Sequence, residues 1–316
     1  MHGIRSWNTG NQMTRHFLKD DDISPQEQAQ IIASAIKLKS NRFADRSFEG
    51  PKSVALIFDK TSTRTRVSFS VGVSEMGGYP LLIDSQSSQL AKSESIADTA
   101  KVLGRQVSQI MWRTFAQSNL EEMAQHAGVP VISGLSDDYH PCQLLADLQT
   151  ITEHFGKTEG LKVAYLGDGA NNIANSYLLA ATMAGMNVSI AARANYQPDE
   201  KVVARARELA TGEILVTSDP VEALSGADIV TTDTWVSMGM EAQQAERIAD
   251  LQDYRVDEKL FEKASSEAIF LHCLPAYRGN EVTAEVIDGK RSLVWQQAEN
   301  RLHAQKALMS FLANND

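Results

Sequence analysis

Hydroxyl and guanidinium side chains are concentrated in the stretch Ser62-Thr63-Arg64-Thr65. This stretch follows an apolar run, Val54 to Phe58, that has the length and composition of a buried strand, and it precedes apolar residues, from Val67 onward, spaced to cover one side of a helix. The N-terminus of a helix offers unpaired backbone N–H groups and a partial positive charge, a combination that binds phosphate. A capped helix with solvent-exposed arginines fits the same residues, so the stretch alone leaves both interpretations open.

Polar residues also follow the other predicted strands. In an open parallel sheet, ligands bind beyond the carboxyl ends of the strands. The residues at such positions are Arg113; His140, Cys142 and Gln143; Asp168, Asn171 and Asn172; Asp233, Ser237 and Met238; and His272 with Cys273. Because scattered surface polarity would not align with strand ends so regularly, the alignment favours an anion site at the first stretch.

The elements that must position these residues alternate between strand and helix. Strands are predicted at 54–58, 79–83, 109–112, 128–132, 162–166, 188–192, 214–216, 229–232 and 269–271. Helices are predicted at 24–39, 94–103, 119–126, 140–154, 172–184, 199–211, 220–225 and 293–312, and one more directly after Arg64. Ser24 and Glu27 form a capping box at the start of the first helix. Residues 237–253 show no strand pattern and are predicted to form a loop.

This alternation indicates parallel βαβ units, and 316 residues exceed the usual size of one hydrophobic core. We therefore predict an α/β protein with two domains, each a parallel sheet flanked by helices, linked by long helices. The first domain is predicted at 13–140, joined by the C-terminal helix 293–316, and the second at 141–292.

Composition excludes several classes of protein. A net charge of −10 and a pI near 5.2 argue against nucleic-acid and anionic-membrane partners. No apolar run is long enough to predict a transmembrane helix, and the first residues lack the apolar core of a secretory signal. The two cysteines, Cys142 and Cys273, are too far apart in sequence for a disulfide framework, which fits the cytoplasm. No cluster with metal-ligand spacing is found, so no metal site is predicted.

The motifs taken together resemble the aspartate/ornithine carbamoyltransferase family, and its ornithine-specific members in particular. They are STRTRVSF, WRTF, HPCQLLADLQT, GDGANN, DTWVSMG, HCLPAYRGNEVT and ENRLHAQKA, in that order from about His16 to the C-terminal helix. The resemblance implies carbamoyl transfer from carbamoyl phosphate to the δ-amine of L-ornithine, giving citrulline and phosphate. It also implies a homotrimer with shared active sites, a role in arginine biosynthesis and no cofactor.

The resemblance assigns the first domain to carbamoyl phosphate. The implied carbamoyl phosphate-binding residues are Ser62, Thr63, Arg64, Thr65, Gln89, Arg113, His140, Gln143, Cys273, Leu274 and Arg301, and those implied in catalysis are Arg113, His140 and Cys273. Gln89 matches a residue that family members donate to a neighbouring subunit, although Ala91 stands where the family usually has glycine. His140 could instead cap the helix that follows it, and Cys273 could be an inert buried thiol.

The resemblance assigns the second domain to ornithine, through Asn172, Asp233, Ser237 and Met238. Asn171 is expected to support the turn before the helix, and His272 to position Cys273. GDGANN also resembles a dinucleotide fingerprint, but Asn172 replaces its third glycine, which leaves a nicotinamide-dependent dehydrogenase as the alternative from another class. Putrescine, N-acetylornithine and aspartate are the alternative carbamoyl acceptors.

Overall fold

The computed structural model describes residues 14–84, 90, 93–236 and 241–315. The first half contains α1 (Pro25–Ser40), β1 (Ser53–Phe58), α2 (Thr63–Glu75), β2 (Tyr79–Asp84), α3 (Ile96–Leu103), β3 (Gln109–Arg113), α4 (Gln117–Ala127), β4 (Val131–Leu135) and α5 (Pro141–Phe155). The second half contains β5 (Lys162–Leu166), α6 (Asn172–Met183), β6 (Asn187–Ala191), α7 (Glu200–Leu209), β7 (Ile214–Thr217), α8 (Pro220–Leu224), β8 (Ile229–Thr232), α9 (Gln244–Leu251), α10 (Glu258–Phe261), β9 (Ile269–His272), α11 (Ala284–Ile287) and α12 (Val294–Asn314).

The capping box at the start of α1 is formed as the sequence predicts. Ser24 Oγ accepts a hydrogen bond from the Glu27 backbone N–H at 3.2 Å, and Glu27 Oε2 accepts one from the Ser24 backbone N–H at 2.8 Å. Pro25 fills the first helical position, where its missing N–H is not needed. Local side-chain chemistry therefore fixes where this helix begins.

The first sheet is parallel, with strand order β2-β1-β3-β4 in the described part of the chain. Its register pairs Phe58, the last residue of β1, with Arg113, the last residue of β3. The two strands thus end side by side. As a result, the Ser62–Thr65 stretch that follows β1 lies next to Arg113 at the same edge of the sheet.

The second sheet is also parallel, in the order β7-β6-β5-β8-β9 over the described residues. The chain runs outward in one direction from β5 to β7 and in the other direction from β8 to β9, so a crevice opens between the ends of β5 and β8. Thr232 at the end of β8 pairs with His272 at the end of β9. This register places Asp233 beside Cys273.

Both faces of each sheet are covered by helices. One apolar cluster of the first sheet includes residues from α1, α2, α5 and α12, and a second lies on the opposite face against α3 and α4. The core around the second sheet includes residues of α6, α7 and α8. Helix α5 contributes Leu145 to the first of these clusters and Leu148 to the core of the second sheet, so one rigid helix joins the two halves.

The predicted fold class, two parallel sheets flanked by helices, is confirmed. The prediction of a loop at 237–253 is wrong, because 3₁₀ turns at Glu241–Gln243 and Gln252–Tyr254 flank α9 within it. The buried face of α9 consists of Arg247 and Leu251, and a charged residue in that position hides the helical pattern. None of the helices in the described ranges combines the length and apolar character that crossing a membrane requires.

Candidate active site

A cleft of about 660 Å³ lies where the carboxyl ends of the two sheets face each other. Residues from both halves and from α12 line it: Lys60, Thr61, Ser62, Thr63, Arg64, Thr65, Arg113, Leu135, Asp137, His140, Asp168, Ala170, Asn171, Asn172, Ile173, Asn195, Tyr196, Asp233, Thr234, Val236, Arg247, Cys273, Leu274, Pro275, Tyr277 and Arg301. The residues that the sequence places after strands thus meet in one space, as the parallel-sheet rule predicts.

One end of the cleft is the N-terminus of α2. Ser62 is the N-cap, and its Oγ accepts a hydrogen bond from the Thr65 backbone N–H at 3.2 Å. The backbone N–H groups of Thr63 and Arg64 have no acceptor within the helix, as at every helix start. The half-buried guanidinium of Arg64 has no hydrogen-bond or ion-pair partner among the described residues. This end of the cleft is therefore an array of donors suited to an anion.

Two further arginines, Arg113 and Arg301, surround the same end and are almost fully buried. Arg301 donates from Nη1 to Gln143 Oε1 at 2.6 Å and from Nη2 to Thr65 Oγ1 at 3.2 Å. Burial, together with the positive charge of Arg301, lowers the pKa of Arg113 to about 10. Since guanidiniums held this close repel one another, the site gains stability when an anion enters.

His140 is 5% exposed and lies at the N-cap position of α5. Its side chain makes no capping hydrogen bond, and Nδ1 has no partner in the described structure. Burial lowers the pKa of His140 well below its usual value, and the charges of Arg301 and Arg113 act in the same direction. The imidazole is therefore neutral near pH 7 and keeps one N–H to donate into the cleft.

The opposite end of the cleft carries Asp233 and Cys273. Cys273 Sγ donates to Asp233 Oδ1 at 3.1 Å, and the Thr234 backbone N–H donates to the same oxygen at 2.7 Å. Burial raises the pKa of the Cys273 thiol well above its usual value, and the neighbouring Asp233 carboxylate raises it further. The thiol is thus protonated at neutral pH, which makes it a hydrogen-bond donor and not a nucleophile.

The GDGANN segment forms the turn between β5 and α6. Asn171 is the N-cap of α6, with Oδ1 accepting from the Ala174 backbone N–H at 2.9 Å, which confirms its predicted role in the turn. Asn172 Nδ2 donates to the Ser136 carbonyl oxygen at 2.7 Å and so links the second half to the first. In a dinucleotide fingerprint the third glycine allows the helix to pack closely against the strand, and Asn172 with its side chain stands at that position here.

Sequence reasoning assigned no role to Arg247, which lines the cleft together with Asp168. Arg247 donates from Nη2 to Asp168 Oδ2, and its guanidinium lies 4.9 Å from the centre of the Tyr196 ring. Burying an unpaired guanidinium costs free energy of folding. The ion pair with Asp168 therefore explains how Arg247 can be only 7% exposed. The spacing of Arg247 and Leu251 at i and i+4 was the signal available in the sequence.

Lys60 was also missed, although it stands directly before the hydroxyl-rich stretch. Its Nζ forms an ion pair with Asp137 and lies 4.4 Å from the centre of the Phe115 ring. Both Lys60 and Asp137 line the cleft. The pair therefore bridges the loops that follow β1 and β4 at the rim of the site.

Three potential metal ligands come together at the ends of β8 and β9, although their sequence spacing shows no such cluster. Ligand atoms of Asp233, His272 and Cys273 lie within 4.8 Å of one another. Their hydrogen bonds already use these atoms in part, since Cys273 donates to Asp233 and His272 Nδ1 accepts from the Leu274 backbone N–H at 2.9 Å. The latter contact supports the predicted positioning role of His272 next to Cys273.

Most of the predicted site residues line the cleft, with a few exceptions. Gln143 is 1% exposed and lies behind Arg301, outside the lining of the cleft. Gln89, Ser237 and Met238 fall outside the described residues.

Comparison with known proteins identifies the family. Residues 15–153 match the family model described as "Aspartate/ornithine carbamoyltransferase, carbamoyl-P binding domain", and residues 159–312 match the one described as "Aspartate/ornithine carbamoyltransferase, Asp/Orn binding domain". The chain belongs to the aspartate/ornithine carbamoyltransferase family. Both matches together cover nearly the whole described chain; the first ends in the last turn of α5, and the second begins shortly before β5.

Individual members of this carbamoyltransferase family match over nearly their full length. The chain is 60% identical over 307 residues to an ornithine carbamoyltransferase of Renibacterium salmoninarum, covering 95% of this chain and 99% of the relative. It resembles the solved ornithine carbamoyltransferase of Pyrococcus furiosus with a TM-score of 0.90 and 45% identity, over 94% and 96% of the two chains. An anabolic ornithine carbamoyltransferase from Campylobacter jejuni gives a TM-score of 0.90 and 38% identity, over 96% and 100%.

Proposed function

We propose that this protein transfers the carbamoyl group of carbamoyl phosphate to the δ-amine of L-ornithine, giving L-citrulline and phosphate. The observation that carries the proposal is a cleft with donors at the N-terminus of α2 at one end and the Asp233–Cys273 pair at the other. Two relatives named ornithine carbamoyltransferase, 58% and 60% identical over nearly the whole chain, support the same reaction.

We assign the phosphate of carbamoyl phosphate to the N-terminus of α2. Ser62, Thr63, Arg64 and Thr65 supply hydroxyl, guanidinium and backbone N–H donors, and Arg301 supplies a second guanidinium from α12. Hydrogen bonds from charged donors to phosphate are the strong ones in proteins. The same groups hold the charge of the departing phosphate.

We assign the carbamoyl oxygen to Arg113, His140 and Thr65. Arg113 Nε and His140 Nδ1 are buried polar atoms without partners in the described structure, and both residues line the cleft. Negative charge develops on the carbonyl oxygen when an amine attacks, and donors fixed in a buried site stabilise it without reorganising. Gln143 acts from behind by holding Arg301.

We assign ornithine to the end of the cleft formed by the second sheet. Asp233 offers a carboxylate for an ammonium group, Asn172 an amide for the carboxylate region, and Cys273 a thiol beside the attacking amine. Leu274 follows in a left-handed turn, where its φ is 58°, and we assign its backbone contact to carbamoyl phosphate. Ser237 and Met238 are assigned to the α-amino end by family resemblance alone.

The reaction forms one C–N bond and breaks one C–O bond. The δ-amine must be neutral to attack, and with a pKa of ~10.4 only about one molecule in 2,500 is neutral at pH 7. The amine donates its electron pair to the carbamoyl carbon, the tetrahedral species expels phosphate, and the proton lost by the amine goes to phosphate or solvent. No cofactor is needed, because carbamoyl phosphate is already an activated anhydride.

The test is carbamoyl transfer from carbamoyl phosphate across a panel of acceptors, followed as phosphate release and as the N-carbamoyl product of each acceptor, which is citrulline for ornithine. We expect turnover with ornithine. We expect much slower turnover with N-acetylornithine, which has no α-ammonium for Asp233, with putrescine, which has no carboxylate for Asn172, and with aspartate, which has no δ-amine. Absence of citrulline at saturating substrate would refute the proposed function. Faster turnover of another acceptor would keep the carbamoyl transfer and change the assigned substrate.

We propose that residues 13–140 and the C-terminal helix 293–316 bind carbamoyl phosphate and that residues 141–292 bind ornithine. Packing of α12 supports this division, because Leu308 and Leu312 belong to the apolar cluster of the first sheet. Arg301 on the same helix reaches Thr65 of α2.

We propose a homotrimer with shared active sites. Strand β2 is at the edge of its sheet, and Tyr79, Leu81 and Leu82 on it are exposed, as is Val67 of the adjacent helix α2. An exposed apolar edge strand invites contact with another chain. The segment that follows β2 contains Gln89, which by family resemblance enters the site of a neighbouring subunit.

We propose a cytoplasmic enzyme of arginine biosynthesis. Cys142 and Cys273 are both free thiols, which suits a reducing compartment. The anabolic Campylobacter jejuni enzyme, similar over almost the entire chain, supports a biosynthetic direction.

A further inference from the structure

A polar cluster is buried behind the cleft and is centred on the carboxylate of Asp147. We define the Asp147 cluster as Asp147, Gln143, Gln297 and Tyr177, each 1% exposed. Asp147 Oδ1 accepts from Gln143 Nε2 at 2.8 Å and from Gln297 Nε2 at 2.7 Å, and Oδ2 accepts from the Tyr177 hydroxyl at 2.7 Å. The residues that line the cleft do not include any of the four.

The Asp147 carboxylate fixes the orientation of both glutamine amides. An ionised carboxylate can only accept hydrogen bonds, so each glutamine must turn its NH₂ group toward it. The two amide oxygens then point away from Asp147. Gln143 Oε1 accepts from Arg301 Nη1 at 2.6 Å, and Gln297 Oε1 accepts from the His272 backbone N–H at 2.9 Å.

These two contacts reach opposite ends of the cleft. Arg301 lies at the end assigned to phosphate, and His272 directly precedes Cys273 at the end assigned to the amine. Tyr177 belongs to α6, whose first residue is Asn172. A single buried carboxylate thus holds α5, α6, α12 and the end of β9 in one arrangement.

The cluster also balances charge beneath the site. Burial lowers the pKa of Arg301, while the Asp147 carboxylate acts to raise it. Burial raises the pKa of Asp147, and hydrogen bonds from Tyr177, Gln297 and Gln143 oppose that rise. Gln143 connects the two charges, so the Asp147 carboxylate partly balances the positive charge of Arg301.

We propose that Asp147 is a positioning residue for the carbamoyl transfer. It acts on both substrates through Gln143 and Gln297 without touching either substrate. This inference rests on the proposed function and adds a residue that the motif comparison assigned to neither half of the site. A cluster that served folding alone would change stability without separating the kinetic constants.

The test substitution is Asp147→Asn, which keeps the shape of the side chain and exchanges one acceptor oxygen for a donor. At least one of the three donors then faces another donor, and Arg301 loses its balancing charge. We expect KM for carbamoyl phosphate to rise and kcat to fall, with kcat/KM lower by about 10- to 150-fold, the effect of one charge-assisted hydrogen bond. Steady-state kinetics at a temperature where circular dichroism shows both proteins fully folded give these constants.

The matched control is Tyr177→Phe, which removes the third donor to the same carboxylate and leaves both glutamines bound. We expect a lower melting temperature for Tyr177→Phe and kinetic constants within about twofold of wild type. Equal losses of kcat/KM in the two variants would refute the inference, because the loss would then follow from disruption of the cluster in general. Wild-type kinetics in folded Asp147→Asn would also refute it.

Two single-arm variants keep the inference testable if Asp147→Asn does not fold. Gln143→Met removes the connection from Asp147 to Arg301 and leaves the connection through Gln297 to His272. We therefore expect a higher KM for carbamoyl phosphate and an unchanged KM for ornithine. Gln297→Met breaks only the link to His272, so we expect the reverse. Identical effects of the two variants on both constants would contradict the proposed division of roles.

Failure of the proposed function is distinguishable from failure of this inference. If wild-type protein makes no citrulline, the proposed function fails. Calorimetric titration of wild-type and Asp147→Asn protein with carbamoyl phosphate alone then tests the link to Arg301, since it requires no turnover. Equal affinity in the two titrations would overturn the positioning role of Asp147.

Discussion

Replacement of Arg64 by alanine should separate ligand binding from stability. The Arg64 guanidinium lines the cleft at the N-terminus of α2 and has no hydrogen-bond or ion-pair partner among the described residues. Its removal breaks no bond of the unliganded fold. We therefore expect the free energy of unfolding to change by no more than about 0.5 kcal/mol, the usual effect of a substitution that removes no contact.

The loss of affinity for carbamoyl phosphate should be far larger. A hydrogen bond from a charged donor contributes about 1.5–3 kcal/mol. At about 1.36 kcal/mol per tenfold change, this corresponds to a dissociation constant about 10- to 150-fold higher. Binding of ornithine, assigned to the Asp233 end of the cleft, should change much less.

Arg301→Ala is the contrasting variant. It also removes a guanidinium from the phosphate end of the cleft, but this guanidinium is buried and hydrogen-bonded in the unliganded fold. Arg301 is 3% exposed and donates to Gln143 Oε1 and Thr65 Oγ1. Its removal leaves buried acceptors unpaired, at a cost of about 1–3 kcal/mol each. Arg301→Ala should therefore lose stability and affinity together, whereas Arg64→Ala should lose affinity alone.

The assays are urea unfolding and steady-state kinetics at varied carbamoyl phosphate. Arg66→Ala is the matched control, since Arg66 lies on the same helix but pairs with Asp84 and stacks on Phe58 outside the cleft. Unchanged carbamoyl phosphate affinity in Arg64→Ala would refute the phosphate assignment. A drop in affinity as large in Arg66→Ala would show that only general positive charge matters.

The remaining predictions concern the acceptor, pH and assembly. Asp233→Asn should raise KM for ornithine at least ~10-fold by removing a charged partner, with KM for carbamoyl phosphate nearly unchanged; equal rises would mean that the two ends are wrongly divided. His140 has a pKa lowered by burial, so the unfolded chain binds its proton more tightly and stability must fall as pH drops below 6.5. His140→Gln should remove up to ~1.4 kcal/mol per pH unit of that fall in unfolding titrations, and an identical acid limb would contradict the burial argument. Leu82→Asp places a charge on the exposed β2 edge and should shift the sedimentation coefficient toward the monomer; an unchanged coefficient would locate the interface elsewhere.

Single residues in the sequence can already argue against one reaction class, here the nicotinamide-dependent dehydrogenase. Asn172 at the third fingerprint position is visible in the sequence, and the structure adds that its side chain bonds the Ser136 carbonyl oxygen. Strand-end residues are predictable for a related reason, because parallel strands have their carboxyl ends on one edge. The Ser62–Thr65 stretch, Arg113 and Asp233 meet in the cleft on that basis.

Contacts between distant segments were not predictable from local pattern. The pairing of Arg247 with Asp168 and the position of Gln143 behind Arg301 depend on how α9, α5 and α12 pack. A charged residue on a buried helix face also hid α9, because periodicity is read from apolar residues.

The sequence by itself determined the order of the strands and of most helices, and the family, and it predicted an anion site in the hydroxyl-rich stretch after β1. These depend on residue types at short spacing, where caps, apolar periodicity and strand ends act over a few residues. Only the tertiary structure decided that Cys273 donates to Asp233 and that Asp147 connects Gln143 with Gln297. Gln143 and Gln297 stand 154 positions apart in the chain, and no local rule specifies which buried donor will satisfy a given carboxylate.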